Sequence, residues 1–204
     1  IALNSPKNSN TRLAVIGGGS WGTTLASLVC RNANVTLWAR DPDVVDEING
    51  SNTHSRYLEG LNLNPLLSAT TSLEEAINDA HAVFMAIPSH NFRSVFEQVA
   101  PLVHSGAPII SMTKGLEATT QKRMTEVIHE YCPGHPVGVL TGPNLAREIL
   151  EGKAAASVLA LDDASADWLQ PILNVGLFRV YRNDDVVGCE LGGVLKNIIA
   201  LAVG

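Results

Sequence analysis

Short apolar runs alternate with longer segments of helical periodicity along most of the chain. The run RLAVIGG (12–18) precedes a helical pattern through WGTTLASLVCRN (21–32), and the next apolar run is NVTLWAR (34–40). Apolar runs that lack an alternating polar face are typical of parallel strands covered by helices on both sides. The pattern therefore predicts an α/β protein with a doubly wound, mainly parallel sheet.

The same alternation continues almost to the end of the chain. Asp41 followed by Pro42 predicts a helix N-terminus, and Ser72 with Glu75 predicts a capping box. Residues 53–69 have no regular pattern. Further strands are predicted at 82–88, 108–113, 136–142, 155–161 and 178–183, and further helices at 43–52, 73–80, 91–103, 120–131, 145–152 and 164–174.

The glycine-rich segment VIGGGSWGTTLA joins the first predicted strand to the first predicted helix. It contains Gly17, Gly19 and Gly22 in the spacing G-x-G-x-x-G. In this strand–turn–helix context the spacing predicts a dinucleotide-binding loop of the Rossmann type. Gly17 allows the tight turn, Gly19 lets the backbone approach a pyrophosphate, and Gly22 lets the helix pack on the strand. A glycine-rich turn without a ligand is the alternative.

The second predicted strand ends at Arg40 and Asp41. An acidic residue there reads the ribose hydroxyl of NAD, whereas an arginine accommodates the 2′-phosphate of NADP. Since Asp41 is already explained as the N-cap before Pro42, Arg40 favours use of NADP(H), alone or beside NAD(H). A solvated surface arginine is the alternative.

Other strand ends should meet at the same cleft, because ligands bind outside the carboxyl ends of the strands in an open α/β sheet. Three segments follow such strands: Pro88–His90, Lys114–Gly115 and Gly142–Asn144. Lys114 can point its ammonium at a ligand or reach solvent as a loop lysine. Gly142–Asn144 can present N–H groups and an amide to a substrate, or form an ordinary turn. His90 is more typical of a surface position than of a catalytic residue.

The last predicted helix is almost entirely apolar, yet it contains Lys196 and Asn197. Gly192, Lys196 and Ala200 share one helix face, so small neighbours leave room around the ammonium. Burial lowers the pKa of a lysine toward the range of a general base, which predicts an active-site role for Lys196 and Asn197. Snorkelling to solvent is the alternative. The nearest acid, Glu190, lies on another part of the helix surface and is not an obvious partner.

Composition and charge narrow the classes of function. The formal net charge of -6 argues against nucleic acid or an anionic membrane as the main partner. No run reaches the roughly 20 apolar residues that a membrane-spanning helix needs. Cys30, Cys132 and Cys189 have no metal-ligand spacing and are odd in number. We therefore predict a cytoplasmic protein without a metal site.

Six separated motifs, in order along the chain, resemble one family. They are GGGSWGTTLA, VTLWARD, AIPSH, TKGLEA, TGPNLAREI and DVVGCELGGVLKNIIALAVG. Together they are similar to the bacterial NAD(P)-dependent sn-glycerol-3-phosphate dehydrogenases, from about Arg12 to Gly204. The resemblance implies reversible hydride transfer between dihydroxyacetone phosphate with NAD(P)H and sn-glycerol 3-phosphate, which supplies phospholipid synthesis. A homodimer of the full-length protein is a further hypothesis.

The resemblance also implies roles for single residues. Lys114 would be shared by cofactor and substrate, and Lys196 would accept the proton of the substrate hydroxyl. Asn144 stands where many members of the family have Ser or Thr. With the patterns above, this predicts cofactor contacts by Gly17, Gly19, Ser20, Trp21, Gly22, Arg40, Tyr57, Pro88, Lys114 and Ala146, and substrate contacts by Lys114, Gly142, Asn144, Lys196 and Asn197.

These patterns divide the chain into three parts. We predict a flexible leader at 1–11, a dinucleotide-binding Rossmann domain at 12–182, and the first helix of a second, helical domain at 183–204, capped by Asp184 or Asp185. Family members continue into that domain, with an aspartate that partners the lysine and a turn that holds the substrate phosphate. We expect both to be absent from these 204 residues.

Two other functions remain open. A β-hydroxyacid dehydrogenase also carries a lysine on the first helix after a Rossmann domain, although the adjacency of Lys196 and Asn197 and the motif TKG favour glycerol phosphate. Taken alone, the chain can also be a non-catalytic NAD(P)-binding module, because half of the implied active site is expected to be missing.

Overall fold

The computed structural model describes the backbone of residues 10–203 and the side chains of residues 10–196. Most of the predicted leader and the side chain of Asn197 lie outside these ranges. The strands are Arg12–Ile16 (β1), Asn34–Trp38 (β2), Ser68–Thr70 (β3), Ala82–Met85 (β4), Ile109–Ser111 (β5), Val137–Thr141 (β6), Ala155–Ala160 (β7) and Phe178–Asn183 (β8). The helices are Ser20–Val29 (α1), Pro42–Ser51 (α2), Ser55–Leu58 (α3), Leu73–Ile77 (α4), Ser89–Val99 (α5), Met124–Tyr131 (α6), Ala146–Leu150 (α7), Ser165–Leu173 (α8) and Val186–Val203 (α9), with a 3-10 turn at Ala100–Leu102.

The strands form one sheet in the order β3-β2-β1-β4-β5-β6-β7-β8. Strands β1 to β6 pair in parallel, β7 runs antiparallel to β6, and β8 is parallel to β7. The predicted doubly wound, mainly parallel Rossmann sheet is therefore confirmed. The chain crosses from β3 on one side of β1 to β4 on its other side. The strand order therefore reverses between β1 and β4, which is where such folds open a ligand-binding crevice.

The core consists of two apolar layers, one on each face of the sheet. Successive residues of β1 alternate between them: Leu13 and Val15 belong to one layer, Ala14 and Ile16 to the other. Helices α1, α2, α7 and α8 cover the first layer, and α4, α5 and α6 cover the second. Because both faces are buried, the central strands are continuous apolar runs rather than alternating ones.

The structure adds two short elements to the segment 53–69, which the sequence pattern left without structure. These are α3, a single helical turn, and β3, an edge strand of three residues that pairs only with β2 in the described sheet. Neither is long enough to show a period of its own, so tertiary contacts determine them. The helix matters for the site, because Arg56 and Tyr57 of α3 line the cleft described below.

The predicted helix caps are confirmed in part. Asp41 accepts a hydrogen bond from the N–H of Asp43 (3.1 Å) and caps α2. Ser72 accepts one from the N–H of Glu75 (3.1 Å). The second half of that capping box is wrong, because Thr70 donates its hydroxyl to the Glu75 carboxylate (2.6 Å) and accepts the Ser72 N–H (3.1 Å).

The first half of helix α9 is anchored to the rest of the domain by hydrogen bonds. Asp185 caps it by accepting the N–H of Gly188 (2.8 Å). Glu190 is buried, and its carboxylate accepts the N–H of Thr125 (3.1 Å), the Thr125 hydroxyl and a guanidinium N–H of Arg123 (3.1 Å). Since Thr125 lies in the first turn of α6, Glu190 satisfies a donor that the helix itself cannot.

Replacing Glu190 by Ala should lower the free energy of unfolding by about 3 kcal/mol. The change leaves a half-buried guanidinium and a helix N–H without their shared acceptor. Urea denaturation measures the loss. Glu148→Ala is the matched control, because Glu148 is exposed and lies 3.7 Å from Lys153, so its loss should stay below about 0.5 kcal/mol. Equal losses in the two variants would show that Glu190 does not anchor α9.

Candidate active site

A cleft of about 930 Å³ opens at the carboxyl ends of the central strands. Its walls come from the segments that follow β1, β2, β4, β5 and β6 and from helices α3 and α5. Of the predicted site residues, those that line it are Gly17, Gly19, Ser20, Trp21, Gly22, Arg40, Tyr57, Pro88, Lys114 and Asn144. The folded chain therefore brings most of the predicted set to one place, while their binding roles stay predictions.

The three glycines of the loop after β1 meet three different surroundings. Gly17 has φ +128°, and a Cβ there would lie 2.4 Å from the carbonyl oxygen of Ala86. A Cβ on Gly22 would lie 2.1 Å from the carbonyl oxygen of Gly17, so α1 packs directly against the loop. At Gly19 a Cβ would meet no atom within 4 Å. The loop is thus closely packed behind and open in front, which fits the approach of a pyrophosphate to a helix N-terminus.

A histidine that the sequence did not single out supports this loop. His54 is fully buried, and its Nε2 lies 2.9 Å from the carbonyl oxygen of Gly18. A carbonyl only accepts, so Nε2 is the protonated nitrogen in this contact. His54 directly precedes α3 and joins that wall of the cleft to the glycine loop. No local signal marks it, because the segment around it has no sequence period.

Two buried donors in the walls have no hydrogen-bond partner among the described residues. They are Nε1 of Trp21 and Nδ2 of Asn144. The Asn144 amide is held in place because its Oδ1 accepts the hydroxyl of Ser157 (2.8 Å). Buried donors in proteins are nearly always satisfied. Both atoms are also inaccessible to solvent in this structure, so the cofactor role of Trp21 and the substrate role of Asn144 stay predictions.

Lys114 bridges the ends of two strands. It follows β5, and its Nζ donates to the carbonyl oxygen of Gly142 after β6 (3.0 Å). Partial enclosure in the cleft lowers the pKa of Lys114, and the nearby ammonium of Lys196 lowers it further. Although the side chain is exposed, the lysine does not simply extend into solvent, since its charged end is held by the carbonyl of Gly142.

Lys196 is exposed among the described residues, and the burial expected for its ammonium stays a prediction. The contacts that hold α9 come from earlier positions such as Glu190 and Gly193, and the described residues offer nothing that covers Lys196. Glu190 is engaged with α6 and is not its partner. The ammonium of Lys196 nevertheless lowers the pKa of Lys114, so the two predicted catalytic lysines are near each other. Asn197 lies outside the described side chains.

Arg40 and Tyr57 stand at the end of the cleft next to β2. Arg40 is exposed and has no side-chain hydrogen bond or ion pair within residues 10–196. Tyr57 is 51% exposed and belongs to α3. Asp41 lines the cleft between them, although the sequence explained it only as a cap. Pro88 lies on the opposite side, immediately before α5.

Besides Lys196, three predicted or considered residues do not line the cleft. Ala146 packs against the core, and its carbonyl oxygen accepts the hydroxyl of Thr24 (3.5 Å). Gly142 contributes its carbonyl oxygen, which accepts the hydrogen bond from Lys114. A Cβ there would lie 2.6 Å from the carbonyl oxygen of Ala156, so packing requires the glycine. His90 is exposed and is not a lining residue, as its surface interpretation expected.

Several polar residues of the walls were missed by sequence reasoning. Asn91, Ser94 and Gln98 of α5 line the cleft, as does Arg56 of α3. The three on α5 are separated by three and four positions and therefore share one helix face. That periodicity was a usable signal. Arg56 offered none, because α3 itself was not predicted.

The described part of the chain contains neither a candidate metal site nor a candidate membrane-spanning helix. No three His, Cys, Asp or Glu residues there lie close enough together to hold a metal ion. Within the same part, no helix is both long and apolar enough to cross a membrane.

Replacing Lys196 by Gln should raise the pKa of Lys114 toward its ordinary value. Removing a nearby positive charge makes protonation of the remaining lysine easier, which fixes the sign of the change. The measurement is an NMR titration of the lysine side chains. Lys153→Gln serves as the control, since Lys153 is exposed and pairs with Glu148 and Glu151 instead. A Lys114 pKa that is the same in both variants would exclude the proximity of the two lysines.

Comparison with known proteins agrees with this geometry. Residues 12–167 match the family model described as NAD-dependent glycerol-3-phosphate dehydrogenase N-terminus. Glycerol-3-phosphate dehydrogenase [NAD(P)+] 2 of Sphingopyxis alaskensis is 55% identical over 194 residues, which cover 95% of this chain and 58% of the relative. Its counterpart in Acinetobacter baylyi is 46% identical over 200 residues, covering 97% and 56%.

A solved structure shows the same relationship. The glycerol-3-phosphate dehydrogenase of Coxiella burnetii superposes with a TM-score of 0.86 at 34% identity, over 94% of this chain and 59% of that one. The chain thus spans somewhat more than half the length of the relatives that it matches. The matched family model covers well over half of the chain, and the chain belongs to the NAD-dependent glycerol-3-phosphate dehydrogenase family.

Proposed function

We propose that the protein containing this chain interconverts dihydroxyacetone phosphate and sn-glycerol 3-phosphate with NAD(P)H. The observation that carries the proposal is the position of Lys114. It lies in the same cleft as the glycine loop, is bonded to the Gly142 turn and is close to Lys196. The carboxyl ends of the strands thus bring together the glycine loop, the Gly142 turn and two lysines. Family membership supports the same reaction.

The walls of the cleft fit a dinucleotide. The open space at Gly19 and the N-terminus of α1 suit its pyrophosphate. Arg40 suits the adenosine end of the cleft. When bound, NAD(P)H supplies the hydride for reduction of a carbonyl. The chain's own residues must then position that carbonyl and supply a proton.

The two lysines divide this work. Lys114, fixed by the Gly142 carbonyl, orients the substrate and offers positive charge beside its oxygen atoms. Lys196 as an ammonium donates its proton to the carbonyl oxygen as the C–H bond forms, which yields the hydroxyl of sn-glycerol 3-phosphate. In the reverse direction neutral Lys196 takes the hydroxyl proton. A lysine serves both directions best when its pKa lies near the working pH.

Three further predictions belong to this proposal and rest on the sequence. They are the division into a leader (1–11), a Rossmann domain (12–182) and the start of a helical domain (183–204), the cytoplasmic location and the homodimer. The structure is compatible with the second boundary, since β8 ends at Asn183 and α9 begins at Val186.

The protein that contains this chain should oxidise NADPH or NADH when dihydroxyacetone phosphate is added. Lys196→Gln should lower kcat by about 100-fold or more, the usual contribution of a general acid or base, and leave cofactor affinity nearly unchanged because Lys196 is outside the cofactor cleft. Lys153→Gln is the control for charge. Activity with a 3-oxo acid in place of dihydroxyacetone phosphate would favour a β-hydroxyacid dehydrogenase. Oxidation with neither substrate would contradict the proposal.

Two glycine substitutions should separate binding from folding. Gly19→Ala places its methyl group in open space, so the melting temperature should hardly change while NADPH binding weakens by about tenfold or more. Gly22→Ala forces the methyl group against the Gly17 carbonyl and should reduce both stability and binding. Calorimetric titration and thermal melts measure the two effects. If Gly19→Ala binds NADPH as the wild type does, the pyrophosphate does not lie at this loop.

A further inference from the structure

Three charged side chains line the cleft at its end next to β2. Arg40 and Asp41 come from the connection between β2 and α2, and Arg56 comes from α3. Nη1 of Arg56 lies 3.5 Å from Oδ2 of Asp41. The guanidinium carbon of Arg56 also lies 5.3 Å from the centre of the Tyr57 ring. Two cations and one carboxylate therefore face a single part of the cleft.

The backbone at Arg56 is held in place, although the side chain is 62% exposed. Glu47 of α2 accepts the N–H (2.6 Å) and the hydroxyl (2.9 Å) of Ser55, the first residue of α3. On the other side, buried His54 is bonded to Gly18 of the glycine loop. The backbone of α3 is thus fixed from both sides, and Arg56 projects from it into the lining of the cleft.

The existing partner of Arg56 is held only weakly. Oδ1 of Asp41 is already used to cap α2 through the N–H of Asp43, which leaves Oδ2 for Arg56. An ion pair of this length between side chains that are 62% and 42% exposed contributes little to stability. A dianionic phosphate makes stronger, charge-assisted bonds to a guanidinium than this carboxylate does. The pair can therefore open when such a group arrives.

We infer that Arg56 is a second reader of the 2′-phosphate of NADP(H), and that Asp41 is its exchangeable counter-ion. With NADP(H), Arg56 leaves Asp41 and joins Arg40 at the phosphate. With NAD(H), Asp41 keeps Arg56 and offers its carboxylate to the ribose 2′-hydroxyl. The same three side chains then accept either cofactor. This inference rests on the proposed function, because it needs a dinucleotide whose adenosine end lies at β2.

Binding of NADPH and of NADH to the protein and its variants tests this assignment by calorimetry. Arg56→Gln should weaken NADPH binding by about tenfold, the effect expected for one lost charge-assisted hydrogen bond, and change NADH binding less than about twofold. Asp41→Asn keeps the helix cap, because asparagine caps as well as aspartate. It should bind NADPH several-fold more tightly and NADH several-fold more weakly, since a repelling charge is lost from one complex and an acceptor from the other.

The pair Arg12 and Asp79 supplies the matched control. It is also an exposed arginine–aspartate pair (2.9 Å), but it lies at the amino end of β1, away from the cleft. Arg12→Gln should therefore leave both affinities unchanged. Equal losses for NADPH and NADH in Arg56→Gln, or no loss for either, would overturn the role of Arg56. Binding of neither cofactor by the wild type would instead overturn the proposed function itself.

Discussion

The close contact between Gly22 and the carbonyl of Gly17 is the constraint on which the site depends. It lets α1 begin directly behind β1, so that the N-terminus of the helix faces the cleft rather than the core. Any side chain at Gly22 would push the helix away and turn its free N–H groups from the ligand. The same contact closes the back of the loop and leaves its front open at Gly19. Packing and anion recognition are thus consequences of one arrangement.

The cleft concentrates positive charge in an acidic protein. The chain has a formal net charge of -6, yet Lys114, Arg40 and Arg56 line one cavity, and Lys196 is close enough to affect Lys114. Net charge describes long-range behaviour and solubility, whereas a local group of cations determines which small anion is retained. Partial enclosure in the cleft is the main reason why the pKa of Lys114 is lowered, and the nearby charge of Lys196 lowers it further.

Hydrogen bonds between distant segments hold the elements around the cleft in place. His54 joins α3 to the glycine loop, Lys114 joins the end of β5 to the turn after β6, and Glu190 joins α9 to α6. Each connects an element of the site to another part of the scaffold. The packing of these elements fixes their backbones, while the charged ends of Arg40 and Arg56 remain exposed.

The sequence alone determined the parts of this protein that have a local cause. Continuous apolar runs require strands buried on both faces, and the glycine spacing requires a tight turn into a helix, so the fold, the loop and the residues at the strand ends could all be read before the structure was known. The cap at Asp41 and the polar face of α5 have equally local signals.

Tertiary structure decided the rest. The single turn α3, with His54 and Arg56, is too short to show a period and exists because α2 and the glycine loop hold it. The Ser72 capping box lost its second half to Thr70, which lies only two residues before Ser72 and ends β3. The engagement of Glu190 likewise depends on which face of α9 meets the domain, and the mostly apolar sequence of this helix does not encode that choice.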